Sequence, residues 1–135
     1  MQTDGHVFFE LYVADLRWYV GLFRDALGMT VAEDDDDFVK LKSAHGTVLL
    51  NGMDDLPAAH PFAGFKAVPT RGFGVELGVV IDDIDAAWAR AQALRDCLVT
   101  PIATQPWAMR DFRVTTKEGY FLRVTTSDPE ERTAT

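Results

Sequence analysis

The stretch FFELYVADLRWYVGLFRDALG, residues 8–28, decides the fold because its pattern occurs twice. It opens with alternating apolar and aromatic positions, which read as a strand. Asp15 then stands where a helix N-cap is expected, followed by Leu16, Tyr19, Val20, Phe23 and Leu27 at helical spacing. Residues 74–97, GVELGVVIDDIDAAWARAQALRDC, repeat the sequence strand, cap, helix, with Asp83 as the cap and Ile84, Trp88, Ala91 and Leu94 as the apolar stripe. Asp15 and Asp83 lie 68 positions apart. An internal repeat of this kind fixes topology before any single element does.

The repeat continues beyond the helices. FVKLKSAHGTVLLN, residues 38–51, and FRVTTKEGYFLRVTT, residues 112–126, both read as hairpins with glycine in the turn. Gly46 and Gly119 lie 73 positions apart, so the halves differ by only about five residues between cap and turn. Short strands at 29–33 and 98–102 fit between each helix and its hairpin. Each half is therefore expected to be a βαβββ module, the first at 6–51 and the second at 73–126. The linker, GMDDLPAAHPFAGFKAVPTRG at 52–72, is rich in Pro, Gly and Ala, and 127–135 read as a loose tail.

With 135 residues the chain fits one domain, and 47% hydrophobic residues is a globular composition. A net charge of −8 opposes contact with phosphate backbones and anionic membranes, so neither nucleic acid nor membrane is an expected partner. No apolar run approaches the ~20 residues of a membrane span, and MQTDGH lacks a basic region followed by an apolar core, so a cytoplasmic location is expected. The single Cys97 reads as a small buried apolar group.

The two-module pattern resembles the vicinal oxygen chelate superfamily, the glyoxalase, bleomycin resistance and extradiol dioxygenase group. The residues that carry the resemblance are VADL with RDALG, VIDDIDAAWARA, and PWAMRDF followed by EGYFLRV. It implies an α+β fold in which two tandem βαβββ modules form a cup-shaped curved sheet, usually completed in a homodimer. Metal-dependent members hold a divalent ion on the first and last strands of each module. Carried onto this sequence, those positions are Phe8, Leu50, Glu76 and Arg123. Two are apolar and one is a cation, so no metal or other cofactor is expected. His6 shares a face with Phe8 but lies two residues away, ~6.6 Å along a strand.

The drug-binding branch is the nearest likeness. PWAMRDF matches its tryptophan segment at Pro106, Trp107, Arg110 and Phe112, with Ala108 replacing glycine, and EDDDDF, residues 33–38, resembles its acidic pair followed by phenylalanine. The expected ligand-binding residues are Phe8, Glu10, Tyr12, Phe38, Glu76, Trp107, Arg110 and Arg123. Glu76 and Arg123 are expected to pair or to meet a polar group of the ligand, and Arg110 to pair with Asp111 or a ligand anion. Gly78 is expected to leave room on the face of Glu76. The expected function is metal-independent binding of a small aromatic or cationic molecule, such as an antibiotic. The alternative is a divergent lyase, isomerase or dioxygenase.

Overall fold

Asp15 and Asp83 each start a helix in the computed structural model, which describes residues 5–68 and 70–127. Both caps work alike: the Asp15 carboxylate accepts from Trp18 N and that of Asp83 from Ala86 N, each at 3.1 Å. These bonds satisfy amide groups that the first helical turn leaves without partners. The chain divides into two compact units, 1–67 and 68–135, with the boundary inside the Pro- and Gly-rich stretch. The predicted tail, except Ser127, lies outside the described residues.

In the first unit β1 (Phe9–Val13), β2 (Thr30–Asp34), β3 (Phe38–Lys42) and β4 (Thr47–Gly52) form a sheet in the order β1-β4-β3-β2. β1 runs parallel to β4, and the other pairs are antiparallel. Helix α1 (Leu16–Val20) packs on β3 and β4. All five residues of its predicted stripe are buried. Beyond Val20 the helix widens into a π-helical turn over Gly21–Ala26, with Leu27 N bonding Leu22 O at 3.0 Å. Leu22 and Ala26 of this turn are buried beside Phe23 and broaden the apolar stripe. Gly28 then ends the helix with φ 79, a conformation that favours glycine.

The second unit repeats the plan. β5 (Glu76–Val80), α2 (Ile84–Gln92), β8 (Arg110–Thr115) and β9 (Phe121–Thr125) correspond to the first unit's strand, helix and hairpin, with β5 parallel to β9. The predicted strand at 98–102 is instead two pieces, β6 (Leu98–Val99) and β7 (Ala103–Thr104), both antiparallel to β8. Pro101 explains the break, because it has no N–H to give the ladder. The Thr100 hydroxyl fills in by accepting from Arg113 N at 2.8 Å. The fold is thus α+β, with a βαβββ plan in each unit.

In each unit one sheet face is the core and the other is open. Leu11, Val13, Val39, Leu41, Val48 and Leu50 face the core in the first, and Leu77, Phe112, Val114, Leu122 and Val124 in the second. Trp88 departs from its predicted stripe: it is half-buried, and its indole N–H donates to Thr100 O at 3.0 Å.

Candidate functional site

The open face of the second sheet is built by strand alternation. Glu76, Gly78 and Val80 of β5 lie on it, with Phe121, Arg123 and Thr125 of β9 and Asp111, Arg113 and Thr115 of β8. Register sets the neighbours: Gly78 is opposite Arg123, and Arg123 is in turn opposite Arg113. Two guanidiniums side by side repel, and each is compensated by its own carboxylate. Arg113 Nε donates to Glu76 at 2.8 Å, and Arg123 Nε donates to Asp111 at 3.0 Å. The Glu76 contact raises the Arg113 pKa above its ordinary value, chiefly through that hydrogen bond.

Asp111 is the hub of this face. It is only 2% exposed, and it accepts a second bond from Gln105 Nε2 at 2.9 Å. A buried carboxylate needs such partners, because desolvating an unpaired charge is costly. Gln105 also opens the turn that presents Trp107: Gln105 N bonds Met109 O at 2.7 Å, and Ala108 sits at φ 68. Trp107 is 54% exposed, and the Arg123 guanidinium carbon lies 5.8 Å from its ring centroid, within cation-π range. Phe121 is stacked obliquely with the exposed Phe73 at 6.1 Å. A Cβ added at Gly78 would meet nothing within 4 Å, so the face is open there.

These contacts revise two expected pairings. Glu76 is bound by Arg113 rather than Arg123, because Arg123 reaches the buried Asp111. Arg110 alternates to the other face of β8 and makes a bidentate pair with Asp85 of α2, both contacts at 3.0 Å, so neither Asp111 nor the open face receives it. Glu76, Trp107 and Arg123 do share the face.

In the first unit Glu10 and Tyr12 lie on the open face of β1, and Phe38 on that of β3. Asn51 joins them: it is the cross-strand neighbour of both Tyr12 and Phe38, and its Nδ2 donates to Glu10 at 2.7 Å. Phe8 stands just ahead of β1 and is exposed. Burial first, and Glu10 next, push the Tyr12 hydroxyl above its ordinary pKa, which keeps it protonated. Tyr12 is also flanked by His60 at 5.2 Å and Phe62 at 4.9 Å, two residues of the predicted linker. The run Asp35–Asp37 is an exposed turn, with Arg17 bonded to Asp34 and to Asp35 O.

The four positions of the metal pattern do not fit a divalent ion. Leu50 is fully buried on the core face beside Leu11, Glu76 is held by Arg113, and Arg123 is a cation. Among the described residues no group of three or more His, Cys, Asp or Glu is placed to hold a metal. Cys97 is half-buried rather than fully buried, and burial followed by Asp96 pushes its thiol up, away from the reactive thiolate. No helix among the described residues is long and apolar enough to cross a membrane.

The family model for the Glyoxalase/Bleomycin resistance protein/Dioxygenase superfamily matches residues 5–124. The chain belongs to that superfamily. Its fold is shared with TioX from Micromonospora sp. ML1, at 21% identity and TM-score 0.61, covering 91% of this chain and 96% of that one. It is also shared with lactoylglutathione lyase from Agrobacterium tumefaciens, at 18% identity and TM-score 0.62 over 94% and 97% of the two chains. The fosfomycin resistance protein FosX from Mesorhizobium loti gives 13% identity and TM-score 0.67 over 98% and 99%. No curated protein matches the sequence.

Proposed function

We propose that the chain is a metal-independent small-molecule-binding protein, that the open face of its second sheet contacts the ligand, and that the ligand is an aromatic compound, antibiotics included. The observation that carries this reading is Trp107: a large ring left 54% exposed at the edge of a strand face whose charged groups are already paired. An exposed aromatic beside an open strand position offers contact area at little ordering cost. That a protein named for fosfomycin resistance has the same fold supports the antibiotic part of this reading, while the aromatic part rests on Trp107. A cationic ligand has less support, since Glu76 and Asp111 are both bound by arginine.

Titrating a panel of aromatic antibiotics while following tryptophan fluorescence tests the proposal. Binding compounds are expected to quench the native protein and to leave Trp107→Phe, which keeps Trp18 and Trp88, unchanged. A panel with no response in the native protein removes the reading.

A homodimer and a cytoplasmic location belong to the same proposal. Phe73 and Val75, ahead of β5, are exposed apolar side chains in the single chain that a second copy would cover. Sedimentation equilibrium should then return twice the mass of one chain, and a monomer at micromolar concentration would remove the dimer.

A further inference from the structure

The open face of the second sheet has matched its carboxylates and left donors over. Glu76 accepts from Arg113, and Asp111 accepts from Arg123 and Gln105. Each guanidinium carries five N–H donors and uses only the one on Nε. Among the described residues, the Nη groups of Arg113 and Arg123 make no hydrogen bond. The two side chains leave directly opposed positions of β8 and β9, so they stand on neighbouring sites about 5 Å apart at Cβ. Arg113 is exposed and Arg123 partly so, with side chains 48% and 26% accessible. A ligand meeting this surface must bring acceptors.

The rest of the face limits what else the ligand carries. Trp107 lies beside Arg123, Phe121 follows two residues before Arg123 on β9, and Gly78 opposite Arg123 presents no side chain. A ring therefore has aromatic neighbours next to the donors. The chain's net charge of −8 opposes an anion at long range, but that field is screened over ~10 Å at 0.1 M salt, so the arginine pair governs at contact.

We infer that the ligand is an aromatic carboxylate whose planar oxyanion is taken by the Nη groups of Arg113 and Arg123 while its ring lies against Trp107. This rests on the proposed binding face and names the chemistry it selects. Guanidinium forks match carboxylates in shape as well as charge, which separates this class from neutral or cationic aromatics.

Three probes with one ring system test it: 2-naphthoate, 2-naphthamide and 2-naphthylmethylammonium, titrated into the full chain by calorimetry with Trp107 fluorescence followed in parallel. Naphthoate is expected to bind at least about tenfold tighter than the amide, with the ammonium weakest. Arg113→Gln should reduce naphthoate binding about tenfold, and Arg113→Lys should restore only part, because a point charge replaces the fork. Both substitutions fall on an exposed side chain, and circular dichroism should show the native fold. Ammonium or amide binding as tight as naphthoate, or naphthoate affinity unchanged by Arg113→Gln, overturns the anion assignment and leaves the binding face in place. If no probe disturbs Trp107, the assignment and the binding face fall together.

Discussion

Replacing Asp111 by alanine should lower the free energy of unfolding by about 2–4 kcal/mol, read from urea denaturation at neutral pH. The carboxylate is almost wholly buried and answers two donors, so its loss strands the Gln105 amide and the mostly buried Arg123 guanidinium. Breaking a fully buried pair costs more, about 3–5 kcal/mol, but Arg123 is 26% accessible and water relieves part of the loss. The same change at Glu76 is expected to cost under about 1 kcal/mol, because its pair with Arg113 is exposed on both sides. Asp111→Asn should recover part of the stability by keeping an acceptor for Arg123. Equal losses at positions 111 and 76 would show that Asp111 is no hub.

The second large effect is on binding alone. Gly78→Val places a β-branched side chain in mid-strand, where an added Cβ meets nothing and the backbone φ is not in the left-handed region. Strand propensity then favours the variant by about 0.5–1 kcal/mol, so its unfolding midpoint should stay level or rise. The new methyl groups occupy the open space opposite Arg123, and affinity for any compound that quenches Trp107 should drop tenfold or more. A stable variant that binds as well as the native chain would place the ligand elsewhere. Because fold and binding move in opposite directions, this substitution separates the two more cleanly than any at a charged residue.

The features legible in the sequence were the local ones. Asp15 and Asp83 cap helices because a carboxylate three residues before a free amide acts within one turn, whatever surrounds it. What sequence could not deliver was parity. Counting four residues beyond the turn glycine reaches Leu50 in one unit and Arg123 in the other, yet Leu50 faces the core and Arg123 the open side. β4 begins one residue after Gly46, whereas Tyr120 intervenes between Gly119 and β9, and one residue is enough to exchange faces. Register likewise chooses the ion pairs: Asp111 and Arg113 stand two apart on one strand and share a face, yet Arg113 binds Glu76 and Asp111 binds Arg123, a choice that strand alternation alone does not make. The π-helical turn had no signal at all, since the helical spacing of Leu16 to Leu27 accounts for its apolar residues nearly as well.

Ala108 carries a consequence for how Trp107 is presented. A residue with a Cβ at φ 68 costs roughly 1–2 kcal/mol relative to glycine there, and it persists because Gln105 N donates to Met109 O and Ala108 N donates to Gln105 O, closing the turn around it. That methyl group also removes backbone states a glycine would sample. The backbone that carries Trp107 therefore has fewer conformations to lose, which would lower the ordering cost of the contact proposed for this residue.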